Sequence, residues 1–199
     1  MIVEGLMTTE NDDGTPNVSP MGPRVDDGWN RLLLRPFRTS TTYRNLKRTG
    51  RGVFHVTDDV ETLARAAIGR LPSPPTCERR PDFGFVLPDA CRWYAAVVER
   101  LDDAEERTSI ELRVVERRTL REFLGLNRAK HAVVEGAILA TRLHLLPQNE
   151  VEEQLRRLRP LVEKTGGDAE ARAFCSLEDF VRSTYGAPPT SVDPEARDG

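Results

Sequence analysis

The stretch RPFRTSTTYRNLKRTGRG, which runs from Arg35 to Gly52, places a dense row of hydroxyls and arginines between two apolar segments. Four hydroxyl side chains in a row, at positions 39 to 42, follow Arg38. The apolar segment RLLLRP leads into the stretch, and GVFHVTD leads out of it. Short apolar runs bounded by turn residues are typical of buried strands. We therefore predict a strand, a short helix and a second strand.

The predicted helix has clear start and stop signals. Thr39 or Ser40 is suited to be the N-cap, because its side-chain oxygen can accept a hydrogen bond from a free amide of the first turn. Gly50 is suited to end the helix, because glycine readily adopts the left-handed conformation of a C-terminal cap. The helix is predicted over residues 41–48.

A phosphate group is the ligand that this helix start would suit. The free amides and partial positive charge of a helix N-terminus attract an anion. Hydroxyl donors would come from Thr39, Ser40, Thr41 and Thr42, and Arg38 would add charge and forked hydrogen bonds. The alternative is structural: a helix cap rich in hydroxyls and flanked by surface arginines.

The segment TPNVSPMG, upstream of this helix, has the character of an extended edge. Its prolines disfavour a central strand, because proline cannot donate to the ladder of a sheet. Main-chain groups left unpaired along such a segment can follow the edge of a flat polar ring. The alternative is an ordinary edge strand broken by proline.

The rest of the chain divides by its periodicity. CRWYAAVVERLDD and RTSIELRVVERRT predict two long strands joined by a polar turn. Five prolines between Leu71 and Ala90 predict a long loop with little regular structure. After Leu120 the apolar spacing becomes helical, and three helices are predicted. We expect a β-rich domain over residues 1–119, a helical domain over 120–186 and a disordered tail over 187–199.

Three segments together resemble a known superfamily. They are MIVEGLMTTENDDGTPNVSPMGP, RPFRTSTTYRNLKRTGRGVFHVTDD and NRAKHAVVEGAILATRL. Their order resembles that of FMN-binding split β-barrel proteins, which include flavin reductases and pyridoxamine-phosphate-oxidase-like proteins. More narrowly, they resemble a family of FMN-binding proteins whose reaction is unassigned. The resemblance extends to about Tyr185 and implies an α+β fold: a mainly antiparallel FMN-binding split β-barrel followed by a small helical domain.

The resemblance also implies a cofactor site. The residues that would line the flavin ring are Asn17, Val18, Ser19, Pro20 and Met21. Those that would hold the FMN phosphate are Arg38, Thr39, Ser40, Thr41 and Thr42, with Asn45 nearby. FMN would lie at the subunit interface of a homodimer. Many flavin reductases place an aromatic residue after the ring-lining strand, where this chain has Met21 and Gly22, so ordinary flavin reductase activity is not implied.

A polar stripe is predicted on the first long helix of the helical part. Asn127, His131, Glu135 and Arg142 are spaced by four, four and seven residues, which places them on one helix face. One interpretation is a surface toward flavin or substrate, with His131 as a proton donor oriented by Glu135. The others are a solvated face and a buried polar network between the domains. His55, among apolar strand residues, is predicted to be structural.

We expect an FMN-binding flavoprotein that works as a homodimer and oxidises or reduces a small molecule. The alternatives are a non-catalytic flavin-binding or carrier module, and a flavin-free interaction protein. A net charge of −3 argues against nucleic-acid and anionic-membrane partners. The three cysteines fit neither a disulfide framework nor a zinc site. With no signal peptide or long apolar stretch, we expect a cytoplasmic protein without a metal.

Overall fold

The computed structural model describes residues 1–72 and 76–186. Its strands are β1 (Gly5–Glu10), β2 (Pro16–Met21), β3 (Arg24–Val25), β4 (Arg31–Leu34), β5 (Arg51–Val56), β6 (Glu78–Arg80), β7 (Gly84–Val86), β8 (Arg92–Asp102) and β9 (Ser109–Thr119). Its helices are α1 (Thr41–Thr49), α2 (Val60–Ala67), α3 (Arg128–Ala140), α4 (Gln148–Thr165) and α5 (Asp168–Gly186). Seven strands form one antiparallel sheet in the order β2-β1-β5-β8-β9-β4-β3, and β6 pairs with β7. The predicted α+β class is confirmed.

The sheet curls until its two ends meet. β2 and β3 follow one another with only Gly22 and Pro23 between them, yet they lie at opposite ends of the sheet order. A bridge between Ile2 and Arg24 links the chain before β1 to β3. Register shifts in the β8–β9 pair add curvature, since a bulge bends the strand that carries it. The result is a half-barrel that the bent segment β2–β3 closes.

The inside of the half-barrel is the first of two large apolar cores. Its fully buried side chains include Met7, Leu32, Leu34, Phe54 and Ile110. Helix α1 covers one end with Tyr43 and Leu46. The strands approach closely at Gly5, where an added β-carbon would lie 2.2 Å from the carbonyl oxygen of His55.

The second core lies on the outer face of β1 and β2 and contains the helices. Leu6 and Val18 from these strands pack with the apolar faces of α2, α3, α4 and α5. Helix α2 belongs to the β-rich half of the sequence, so both halves contribute to this core. The division into two domains at residue 119 therefore remains a prediction, because it requires that each half fold independently.

A charged network holds the connection between β9 and α3. The Asp58 carboxylate, 4% exposed, accepts two hydrogen bonds from the Arg121 guanidinium, at 3.0 and 2.5 Å, and one from the Leu124 amide at 2.9 Å. Hydrogen bonding by Arg121 holds the Asp58 pKa well below its ordinary value. Lys130 donates to the Asp58 carbonyl at 2.6 Å and to Glu170 at 2.7 Å.

The structure differs from the sequence prediction in one loop and at the start of one helix. The segment from Leu71 to Ala90 contains the β6–β7 hairpin, whose Phe85 and Val86 are buried. The first helix of the helical part begins at Arg128 rather than near Leu120, because the segment between them follows the Asp58 network. The predicted disordered tail lies outside the described residues.

Candidate functional site

Helix α1 begins and ends as the sequence predicts. The Ser40 hydroxyl accepts a hydrogen bond from the Tyr43 amide at 3.2 Å, and Gly50 adopts the left-handed conformation with φ of 66°. Within the described residues, the amides of Thr41 and Thr42 have no hydrogen-bond acceptor. No acidic residue lies in the first turn. This helix start therefore offers free donors and a partial positive charge.

A polar cluster joins this helix start to β1 and β2. The Ser19 and Thr42 hydroxyl oxygens lie 2.5 Å apart. The Asn17 side-chain amide donates to Thr42 Oγ1 at 3.3 Å and to Thr9 Oγ1 at 3.1 Å. Asn45 donates to the same Thr9 oxygen at 3.0 Å. Four predicted site residues are thus brought together by side-chain hydrogen bonds.

Thr9 is the member of this cluster that sequence reasoning missed. It is 2% exposed and lies opposite Asn17 in the β1–β2 register. Cross-strand partners share a face of the sheet, so Thr9 points to the same side as Asn17. The one sequence signal was the pair Thr8-Thr9 at the end of an apolar strand. Only the register with β2 shows that Thr9 lies beside Asn17.

The two faces of β2 have different environments. Asn17 and Ser19 alternate with Val18 and Pro20, so their side chains point to opposite faces. Val18 is 9% exposed and packs in the helical core. Met21 packs at the margin of the half-barrel core. Val18 was predicted to line the flavin ring, and its side chain is turned away, leaving only its main chain for such a contact.

The outer edge of β2 carries free main-chain groups. β2 lies at one end of the sheet and pairs only with β1 in the described part of the chain. Pro16, Val18 and Pro20 occupy every second position of β2, so their main-chain groups point to the same edge of the strand. Proline is tolerated in a sheet where its nitrogen faces away from the hydrogen-bonded partner strand. We infer that the outer edge offers three carbonyls but only one amide, that of Val18. Such an edge suits a ligand with hydrogen-bond donors.

The remaining predicted phosphate ligands lie on the surface beside α1. Arg38 and Thr39 are exposed, and the Arg38 amide donates to the Glu106 carbonyl at 2.9 Å. No ion pair within 4.0 Å in residues 1–72 and 76–186 involves the Arg38 side chain. Lys47, by contrast, donates to Asp103 at 2.7 Å, and this bond lowers the Asp103 pKa to about 2. Arg38 is therefore a cation that remains available to an anion.

The predicted polar stripe is broken at both ends. Asn127 is the N-cap of α3: its side chain accepts from the Lys130 amide at 3.1 Å and donates to the Thr165 carbonyl at 2.9 Å. Arg142 lies beyond the end of α3 at Ala140. His131 and Glu135 share one exposed helix face. The prediction of a single continuous stripe was wrong, because α3 is shorter than the helix that the apolar spacing predicted.

His55 lies in the sheet with both ring nitrogens occupied. The Leu87 amide donates to Nε2 at 3.1 Å, so the proton resides on Nδ1 and is shared with the Leu6 carbonyl at 3.2 Å. Complete burial lowers the His55 pKa to about 4. A neutral, fully bonded histidine of this kind is structural, as predicted.

Among the described residues, no group of three or more histidine, cysteine, aspartate or glutamate side chains is placed to hold a metal ion.

Comparison with protein families matches almost the whole chain. Residues 3–121 match "Protein of unknown function (DUF447) N-terminal domain", and residues 127–179 match "Protein of unknown function (DUF447)". The chain belongs to the DUF447 family. A search of curated proteins gives no match.

Solved structures share the fold. The FMN-bound protein MM1853 from Methanosarcina mazei, also of the DUF447 family, is 25% identical, with a TM-score of 0.77 over 90% of this chain and 94% of that one. Nitrilotriacetate monooxygenase component B from Mycobacterium thermoresistibile is 13% identical, with a TM-score of 0.52 over 61% of this chain and 71% of that one. The styrene monooxygenase flavin reductase from Pseudomonas putida S12 is 13% identical, with a TM-score of 0.50 over 60% and 82%. These last two show a shared half-barrel only.

None of the helices in the described part of this DUF447 protein combines the length and the apolar character needed to cross a lipid bilayer. Of the three cysteines, Cys91 is buried, Cys77 is half-buried and Cys175 is exposed, and all three are free thiols.

Proposed function

We propose that this DUF447 protein binds FMN, with the phosphate at the start of α1. The observation that carries the proposal is the cluster in which Ser19, Asn17 and Thr42 meet beside the free amides of Thr41 and Thr42. Its donors and missing first-turn acid fit a dianionic phosphate. The likeness to the FMN-bound M. mazei protein over 90% of the chain supports the same cofactor.

Each part of the site has its own role in this proposal. The Thr41 and Thr42 amides and the Ser40, Thr41 and Thr42 hydroxyls bind the phosphate, and the exposed Arg38 and Thr39 close over it. Asn45 acts indirectly, since its bond to Thr9 fixes the base of the polar cluster.

The ring of the flavin would follow the outer edge of β2. Main-chain carbonyls along this edge accept hydrogen bonds from ring N–H groups, and the Val18 amide donates. Asn17 and Ser19 point toward the α1 side of the sheet, where the phosphate is proposed to bind. In this proposal β2 contacts the flavin ring along its outer edge and lies beside the phosphate through Asn17 and Ser19.

The function we propose is redox catalysis on a small molecule. Bound FMN would supply hydride or electron transfer, while the protein binds and orients it. This chemistry requires no nucleophile from the protein. His131 and Glu135, exposed on α3, are the candidates for proton transfer. The alternative is a non-catalytic flavin-binding or carrier module, which differs in failing to turn over reduced flavin with any acceptor.

A homodimer with FMN at its interface is part of this proposal. Support comes from an ordered apolar segment between β9 and α3, where Leu124 is 78% and Leu126 is 88% exposed. The Asp58–Arg121 network fixes this segment while its side chains face outward. A second copy would remove these side chains from water, which is favourable at about 25 cal/mol per Å² of apolar surface.

The phosphate placement is tested with Arg38→Ala and Ser40→Ala. Each variant should weaken FMN binding about tenfold or more, because each removes a charged or capping contact. Arg128→Ala and Ser183→Ala, which change the same residue types at exposed positions on α3 and α5, serve as controls. FMN affinity is measured by quenching of flavin fluorescence. Unchanged affinity in both site variants would refute the placement.

Catalysis is tested separately by mixing the FMN-loaded protein with NADH, NADPH or dithionite and then with oxidants. His131→Ala should slow turnover and leave FMN bound. If His131→Ala loses bound FMN and turnover to the same extent, the exposed face of α3 has a structural role. Full reduction without any turnover would favour the carrier alternative.

A further inference from the structure

A cleft lies on the barrel away from the start of α1. It opens between the loop before β4 and the paired ends of β8 and β9, with a volume of about 410 Å³. β4 separates this loop from α1, and its four residues span roughly 13 Å. The side chains that matter to its chemistry are those of Asp27, Trp29, Arg92, Tyr94, Arg117 and Thr119.

The strand register brings four of these side chains to one face. Tyr94 pairs with Arg117, and Arg92 pairs with Thr119. Partners across an antiparallel pair share a face, and so do residues two apart along a strand. Trp29 joins the same face, because its ring stacks on Tyr94 with centroids 4.5 Å apart and planes inclined by 19°.

The loop that carries Trp29 is held in a costly conformation. Trp29 has φ of 54°, the one positive value at a non-glycine residue in the described part of the chain. Such a conformation persists only where its surroundings impose it. Here the Trp29 amide donates to the Asp26 carbonyl at 3.1 Å, and Arg117 donates to the Gly28 carbonyl at 2.9 Å. The Asp26 carboxylate accepts from the Asn30 amide at 2.8 Å. The aromatic wall is therefore preformed.

The charge of the cleft favours an anion. Arg92 and Arg117 are exposed, and neither has a carboxylate within 4.0 Å in residues 1–72 and 76–186. Asp27 is the single acid among the lining residues. Arginine binds planar carboxylate and phosphate oxygens in pairs and also stacks on flat rings. The Thr119 hydroxyl adds a neutral donor or acceptor.

We propose that this cleft binds a planar aromatic molecule that carries a phosphate or a carboxylate. The half-buried indole of Trp29 provides the stacking surface, and Arg92 and Arg117 pair with the anion. The volume lies within the range of small-molecule sites. This inference does not rest on flavin binding, because no residue of the cleft belongs to the α1 site.

The test is calorimetric titration of the full-length protein with AMP, naphthoate and uncharged adenosine. At least one of the two anionic probes should bind with a Kd below about 1 mM and at least about tenfold more tightly than adenosine. AMP binding alone identifies a phosphate site, and naphthoate binding alone identifies a carboxylate site. If neither AMP nor naphthoate binds more tightly than adenosine, the proposal is overturned. The same holds if binding fails because a second copy of the chain covers the cleft.

Variants then locate the binding. Arg92→Gln and Trp29→Ala should each weaken the anionic probe about tenfold, and Arg92 is an exposed residue whose loss leaves the loop intact. Arg100→Gln is the matched control: the same change on the same strand, eight residues and roughly 26 Å away, should leave binding unchanged. FMN content is measured on every variant. Equal binding by Arg92→Gln and the unmodified protein overturns the assignment, whatever the FMN content.

Discussion

Thr42 is the side chain on which the proposed phosphate site depends most. It is 2% exposed, and its hydroxyl meets both Ser19 and Asn17. Thr42→Val keeps the shape of the side chain but removes one hydrogen bond from each of those two partners, and Asn17 keeps only its bond to Thr9. The FMN Kd should rise about tenfold, and the free energy of unfolding should fall by about 1 kcal/mol.

The control for Thr42 is Thr184→Val on α5, whose hydroxyl donates to the Phe180 carbonyl of its own helix and has no other partner among residues 1–72 and 76–186. It should leave the FMN Kd unchanged. If Thr42→Val binds FMN as tightly as the control does, the hydroxyl cluster is a structural feature of the β2–α1 contact and not a ligand site.

His55 gives the fold a defined pH dependence. Its pKa is about 4 in the folded protein against 6.5 in an unfolded chain, so the unfolded state takes up a proton first as the pH falls. The stabilisation is complete above about pH 6.5 and is lost between 6.5 and 4. Unfolding free energy should fall by about 2 kcal/mol between about pH 7 and pH 5.

Urea denaturation at several pH values measures this effect. His55→Asn lowers stability at every pH but should remove the slope within this window, where ordinary carboxylates remain charged. A slope that persists unchanged in His55→Asn would assign the pH dependence to another group.

Among the secondary-structure elements, the segment between β9 and α3 depends on the Asp58 network, in which Arg121 supplies the charged partner. Arg121→Gln would leave the Asp58 carboxylate buried without its bidentate partner. Because Asp58 is buried while Arg121 is 39% exposed, water can partly replace the guanidinium, and the loss should cost about 2 kcal/mol. Arg118→Gln, an exposed neighbour on β9 that has no ion pair in the described part of the chain, should change unfolding free energy by less than about 0.5 kcal/mol. Similar stabilities of the two variants in urea would contradict this role.

Elements with local signals were predictable from sequence. The hydroxyl cap and glycine stop of α1 are local, and so is the alternation in β9. The β6–β7 hairpin was missed because its prolines dominate the composition while its buried residues, Phe85 and Val86, form only a three-residue strand. The start of α3 was missed because Leu120, Phe123 and Leu124 have helical spacing but are exposed.

Site residues divide in the same way. The hydroxyls of α1 could be predicted, because an N-cap is a local pattern. Thr9 could not, because its role depends on the β1–β2 register. The outward direction of the Val18 side chain could not be predicted for a related reason: alternation separates it from Asn17, and the helical core on the outer face accounts for its burial.

At the scale of the whole molecule, we predict a homodimer. Leu124→Asp combined with Leu126→Asp places two charges in the exposed apolar segment, where a partner subunit would have to bury them. Light scattering should give about twice the chain mass of 22.4 kDa for the unmodified protein and the chain mass for the variant. Thr141→Asp, an exposed position after α3, should remain dimeric. A monomeric unmodified protein would contradict the proposed interface.

We propose that this DUF447 protein carries FMN at the start of α1. The first experiment is an absorbance spectrum of the purified protein, followed by mass analysis of the small molecule that heating releases. We predict the spectrum of an oxidised flavin and release of one FMN per chain. A colourless protein that also fails to bind added FMN would contradict the claim, and Thr39 to Thr42 would then be no more than a helix cap.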